Sequence, residues 1–112
     1  MKNKFITIES TFPNLRAAKK VAKILLQKNL AACVQFTKIE STYLWQKKIE
    51  NCSEIQVKIK TKKTLYAAVE KTIIAHHPYE IPQITSKLID QGFTPYLEWI
   101  DSSIETGKIK LA

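Results

Sequence analysis

Ile55-Gln56-Val57-Lys58-Ile59-Lys60 alternates apolar and polar residues without a break. That period of two marks a strand with one face in a core and one face turned away from it. The strand character reaches back to Ile49 and forward to Thr61. Upstream, Val34, Phe36, Ile39, Tyr43 and Trp45 read as a second strand, with no turn residue until Gln46-Lys47-Lys48. The two segments form a hairpin that is long for a small domain. Its outer part, around Tyr43, Trp45 and Ile49, extends beyond what one small sheet covers. Exposed aromatics on such an arm are a liability for a monomer and suit pairing with another subunit.

Working outward, Leu30-Ala31-Ala32-Cys33-Val34 opens the hairpin, its small residues allowing close approach of a helix or a neighbouring subunit. Before it, Leu15, Ala18, Ala22, Leu25 and Leu26 recur at helical spacing, which predicts a helix from about Asn14 to Lys28. Thr11 or Asn14 suits its cap and Asn29 its stop. Phe5 to Ser10 alternates as a first strand. After the hairpin, Leu65, Ala68, Val69, Thr72, Ile73 and His76 share one face of a second helix, capped by Thr61 or Thr64. Gln83 to Asp90 reads as a fourth strand, and Gln91-Gly92 as a turn. Thr94 to Ile100 reads as a short helix with Tyr96, Trp99 and Ile100 on one side. Ile104 to Leu111 reads as a short last strand.

The order strand, helix, strand, strand, helix, strand closes through right-handed crossovers into one domain over residues 1–112. The expected fold is an α+β, ferredoxin-like βαββαβ sandwich with a short C-terminal helix. Both main helices lie on one side of an antiparallel sheet. The other sheet face, with Gln56, Lys58 and Lys60, is left open, and its burial against other copies predicts a homo-oligomer.

A chain of 112 residues is one domain, long enough for a real core. The net charge of +8 comes almost wholly from lysine, because Arg16 is the single arginine. Nucleic-acid readers lean on arginine for bidentate contacts, so no nucleic-acid partner is expected, whereas attraction for small anions or acidic partners is. No stretch approaches the ~18 apolar residues of a membrane span, and no signal peptide is evident. No membrane partner is expected, and the expected localisation is cytoplasmic, with Cys33 and Cys52 reduced.

His76-His77-Pro78-Tyr79-Glu80-Ile81-Pro82 is the densest run of chemistry-bearing groups. The prolines bar His77 and Ile81 from helix, so the run is a stiff connector after the second helix. His76 reads as a helix-end imidazole, and His77, with Glu80 three residues on, is better placed to act. One histidine and one carboxylate need further ligands from elsewhere to hold a metal. Cys33 reads either as a small core residue or as a soft ligand for copper(I) or a similar metal. The aromatics Tyr43, Trp45, Tyr79 and Trp99 read as packing groups or, with Lys60, as the lining of a cleft for a small anionic or planar ligand. No serine or cysteine stands in a setting of activated nucleophile and base, so the chain is not expected to be an enzyme.

Leu30-Ala31-Ala32-Cys33-Val34, Tyr43-Leu44-Trp45, Ile59-Lys60-Thr61, His77-Pro78-Tyr79-Glu80-Ile81-Pro82 and Tyr96-Leu97-Glu98-Trp99-Ile100 stand in an order and spacing that resembles the CutA family of divalent-ion tolerance proteins. The resemblance runs from about Phe5 to Ile100. It implies a stable homotrimer similar in architecture to PII signalling proteins, and a role in the response to copper or another divalent metal ion. Cys33 matches the family cysteine, and His77 opens the family His-Pro-Tyr-Glu motif. Lys60, Tyr79, Glu80 and Trp99 match positions near clefts between subunits. The resemblance thus implies a metal site of Cys33, His77 and Glu80, and a ligand cleft of Lys60, Tyr79, Trp99, Tyr43 and Trp45. The alternative it implies is a PII-like signalling or scaffold protein that binds a small anion and serves a protein partner. The sequence departs from the family pattern at Gln35, at the basic turn Gln46-Lys47-Lys48 and at Gln83.

Overall fold

The computed structural model describes residues 4–105. β1 (Phe5–Phe12), α1 (Leu15–Gln27), β2 (Cys33–Trp45), β3 (Lys48–Lys62), α2 (Tyr66–His76), β4 (Ile84–Leu88) and α3 (Thr94–Glu105) follow one another along the chain. The four strands form one antiparallel sheet in the order β2-β3-β1-β4. This is the expected ferredoxin-like arrangement. α1 and α2 cover one face, over a core of Ile6, Ile8 and Phe12 from β1, Ile55, Val57 and Ile59 from β3, Val21 and Leu25 from α1, and Val69 and Ile73 from α2. Each such fully buried side chain contributes about 1.5–3 kcal/mol by leaving water.

The caps follow from local chemistry. Asn14 has an extended backbone, and its side-chain oxygen accepts from the Ala17 N–H at 2.9 Å. At the other end Asn29 adopts φ 57°, the Asn29 N–H donates to Leu26 and the Leu30 N–H to Leu25. That pair of bonds is the Schellman closure, and Leu30 packs on the same core as Leu25. Leu30 to Ala32 are therefore consumed by the helix stop, and β2 begins at Cys33, three residues later than expected. The second helix starts without a side-chain cap. Thr61 is still paired in β3, and Lys63–Leu65 form a 3₁₀ turn that leads into α2.

Helix faces are narrower than the apolar spacing implied. On α1 the buried residues are Ala18, Val21, Ala22 and Leu25, while Leu15 and Leu26 sit at the shoulders, 41% and 36% exposed. On α2, Val69, Thr72 and Ile73 are buried, and Ala68 and His76 are exposed. The third helix runs to Glu105 rather than ending at Ile100. Its buried side is Leu97, Ile100 and Ile104, packed on Phe5, and Tyr96 and Trp99 face outward. Ile104 is thus helical, and the remainder of the expected last strand lies outside the described residues. A Cβ on Gly92 would stand 3.1 Å from Leu97, so glycine lets the preceding turn close onto this helix. Asp101 anchors it further by pairing with Lys4 at 2.7 Å and Lys62 at 2.6 Å.

The second sheet face is therefore covered at one end by α3 and polar over the rest. Gln56, Lys58 and Lys60 lie there, half-buried, as the alternation requires. Lys60 donates to the Thr7 hydroxyl at 3.3 Å, and Lys87 pairs with Glu9 at 3.8 Å. β4 is shorter than expected, Ile84–Leu88. The hairpin pairs without interruption from Cys33 opposite Lys60 to Trp45 opposite Lys48. Its turn consists of Gln46 and Lys47, both with positive φ (49° and 67°), and Lys48 already belongs to β3. This is the backbone sense of the primed hairpin turns, usually filled by Asn-Gly.

Candidate functional site

The prolines deliver His77 to the end of β1. Its ring stacks on Phe12, with centroids 4.2 Å apart, and tilts against Tyr79 at 4.9 Å. Both ring nitrogens are engaged with backbone. Nδ1 accepts from the Tyr79 N–H at 3.0 Å, which makes Nε2 the protonated nitrogen that donates to the Thr11 carbonyl at 2.7 Å. This pattern defines the neutral tautomer, and burial, the largest influence, holds the imidazole below its ordinary pKa. His77 thus fixes the path of the connector from α2. A metal at either nitrogen would have to displace one of these bonds.

The connector places Tyr79 against the hairpin. Its hydroxyl donates to Glu54 Oε2 at 2.8 Å, and Glu54 is only 9% exposed. Burial and the Glu54 carboxylate raise the Tyr79 pKa well above the usual phenol value. Between the connector and the arm opens a cleft of about 920 Å³, walled by Tyr43, Trp45 and Cys52 on the arm and by Pro78, Tyr79 and Glu80 on the connector. Glu54 completes its floor, and Glu40 borders it with its carboxylate turned to the opposite face of the hairpin, beside Ser53. Glu40 accepts a short hydrogen bond from the Ser53 hydroxyl. Tyr43 is raised by hydrogen bonding with Cys52, then by negative charge nearby. The cleft therefore combines the carboxylates of Glu54 and Glu80 with a thiol on a chain whose net charge is +8.

The structure brings together some of the residues singled out from sequence and separates others. Glu80, Tyr79, Tyr43 and Trp45 share this cleft, with His77 behind it. Cys33 stands opposite Lys60, four residues along β2 from Thr37, which is level with Gln56 and Thr11. That offset is about 13 Å along the strand, so Cys33 and His77 do not meet within one protomer. Lys60 is bonded to Thr7 on the open sheet face, not in the cleft. Trp99 stacks on Tyr96 at 5.7 Å on the outer side of α3. The Tyr96 phenol is raised chiefly by burial and then by the charge of Cys33. Among the described residues no three His, Cys, Asp or Glu side chains converge tightly enough to hold a metal ion alone. Sequence reading missed Glu54 and Cys52 as cleft residues. The signal for Glu54 was its place at the start of the Ile55–Lys60 alternation, a carboxylate at the edge of a buried run.

A small ferredoxin-like α+β domain with a long protruding hairpin and an acidic cleft at the hairpin's root is the class of protein defined so far. The comparisons with known proteins make it specific. Residues 6–103 match the model of the CutA1 divalent ion tolerance protein. The divalent-cation tolerance protein CutA of Archaeoglobus fulgidus is 39% identical over 95 residues, 85% of this chain and 93% of the relative. The mouse protein CutA is 38% identical over 97 residues, and this chain spans about half its length, 55%. The solved A. fulgidus structure, described as a periplasmic divalent cation tolerance protein, superposes with a TM-score of 0.88 at 37% identity, covering 89% of this chain and 98% of that one. The CutA1 structure from Shewanella sp. SIB1 gives 0.87 at 38% identity, covering 92% and 97%. The chain belongs to the CutA1 family of divalent-ion tolerance proteins.

Proposed function

We propose that this chain acts in tolerance of copper or a related divalent cation, as a homotrimer, with the acidic cleft at the hairpin root as its cation-receiving site. The observation that carries the reading is the gathering of Glu54 and Glu80 with Cys52 in one cleft of an otherwise basic chain. Carboxylates suit hard divalent ions, and a thiol adds affinity for softer ones such as copper. In this reading Glu80 is the accessible first ligand, because it is exposed on the connector, and His77 positions that connector. A neighbouring copy supplies the remaining ligands, and in this reading the Cys33 thiol is the soft donor it brings. Support for oligomerisation comes from Leu44, Ile49 and Trp45, which are 76%, 71% and 49% exposed on one arm.

No helix among the described residues is long and apolar enough to cross a membrane. The relatives' names differ, the Arabidopsis thaliana protein being called chloroplastic and the A. fulgidus structure periplasmic.

Native mass spectrometry and calorimetry with Cu²⁺ and Zn²⁺ test the reading together. The expected result is a trimer that binds cation, with affinity lost at least tenfold in Glu80→Gln and in Glu54→Gln. A monomer, or a trimer whose cation affinity is unchanged in both variants, would overturn it.

A further inference from the structure

Residues 10–39 carry six of the chain's eighteen Lys and Arg and none of its ten Asp and Glu. Four of these cations, Arg16, Lys19, Lys20 and Lys23, are exposed on α1. Their spacing of three, four and seven puts them on one stripe, opposite the Ala18, Val21, Ala22 and Leu25 face that meets the core. Each has other cations of the stripe as its neighbours at three and four residues. Such like-charge pairs destabilise a helix. The first turn holds no acidic residue, so Arg16 also opposes the positive end of the helix dipole. Among the described residues none of the four has an ion-pair partner, whereas Lys4 before β1, Lys62 in β3 and Lys87 in β4 are paired with Asp101 or Glu9.

We propose that the outward face of α1 is a docking surface for an acidic segment of a partner protein. Charge complementarity selects the sign, and the composition of the face selects the class. Three of the four cations are lysines, point charges suited to single carboxylates, and the one arginine offers little of the forked recognition typical of phosphate readers. No aromatic residue on α1 offers a base a stacking surface. The apolar stripe of α1 is committed to the sheet, so the helix cannot turn it into a bilayer. Leu15 and Leu26, the exposed shoulders, bracket Lys19 and Lys23 over about 16 Å of helix. That length matches three turns of an acidic helix with carboxylates at intervals of three and four residues and an apolar residue near each end. Neutralising the stripe removes its self-repulsion, a gain available only on binding.

The probe is a labelled helical peptide with glutamates at that spacing and a leucine near each end, titrated by fluorescence anisotropy at low salt. Lys19→Glu/Lys23→Glu is compared with Lys47→Glu/Lys48→Glu, which changes net charge equally at the hairpin tip. The expected result is a loss of about tenfold or more in the first and about twofold or less in the second, since interaction losses are local. Lys19→Glu/Lys23→Glu keeps its melting temperature, because the substitutions relieve like-charge contacts, so lost binding is not lost folding. Leu15→Ala/Leu26→Ala weakens the peptide further while leaving its salt dependence unchanged. Equal losses in the two charge variants would overturn the proposal. So would tighter binding of a duplex DNA or of phosphatidylglycerol vesicles than of the peptide, also dependent on Lys19 and Lys23.

Discussion

The two halves of the β2-β3 hairpin share one register and one turn, yet they live in different surroundings. In the inner half Ile55, Val57 and Ile59 are 7%, 2% and 0% exposed. In the outer half Leu44 and Ile49, cross-strand partners, are 76% and 71% exposed. Backbone pairing is continuous through both, so hydrogen bonds do not distinguish them. What differs is what lies on the faces: two helices cover one face of the inner half, and among the described residues no helix covers Leu44 and Ile49 in the outer half. Strand formation is thus a local property here, while stability is a property of layers. The Glu54–Tyr79 contact marks the boundary, and the cleft opens there on the sheet face that α1 and α2 do not cover.

The sharpest way to break this comparison is to truncate both halves. Ile59→Ala, in the inner half, should cost about 2–5 kcal/mol of unfolding free energy in chemical denaturation. Ile49→Ala should change the protomer's stability by no more than about 0.5 kcal/mol and act instead on subunit association, read by native mass spectrometry. At the boundary, Tyr79→Phe removes the donor to a buried carboxylate and should cost about 1–3 kcal/mol. A melting temperature unchanged by that substitution would show that the boundary bond is incidental. Tyr79 also sets an alkaline limit. Its folded pKa lies above its unfolded value near 10.0, so this contribution is complete below that pH and declines as pH rises further. The Tyr79→Phe difference in melting temperature should therefore shrink above pH 10.

At the tip, Lys47 has φ 67° without being glycine. Lys47→Gly should relieve about 1 kcal/mol of left-handed strain, seen as greater hydrogen-exchange protection in the outer half and little change in the inner half. The smallest effect is expected at the α3 anchor. Lys4 and Lys62, through hydrogen bonds, hold the Asp101 carboxyl well below its usual range, down to about 2. Its contribution is complete above the unfolded value near 3.8 and is lost as pH falls toward 2. Partly exposed ion pairs contribute little, so Asp101→Asn should chiefly flatten the acid limb of Trp99 fluorescence against pH.

Most of the fold was legible in sequence because period-two and helical spacing report burial directly. The long hairpin and the stop at Asn29 follow from residues within a few positions of one another, and of the two cap candidates, Thr11 and Asn14, it is Asn14 that caps. Errors fell at helix shoulders, where Leu15 and Leu26 satisfy the spacing but lie beyond the reach of the sheet, and at α3, where Leu97, Ile100 and Ile104 displaced Tyr96 and Trp99 from the core. The site was legible in part. Tyr79, Glu80, Tyr43 and Trp45 do share a cleft, while Cys33, Lys60 and Trp99 stand elsewhere in the protomer.

What the sequence by itself determined is the alternation of faces, the stops and starts of the elements, and family membership through motifs in register. Tertiary structure alone decided that Glu54, 25 residues before Tyr79, would meet its hydroxyl, and that both nitrogens of His77 would be used by Thr11 and Tyr79 backbone 66 and 2 residues away. The physical reason is that periodicity encodes how much of a side chain is buried, not which partner it meets. Partners are set by strand register and by where the crossovers deliver a connector, quantities that exist only once the sheet has closed.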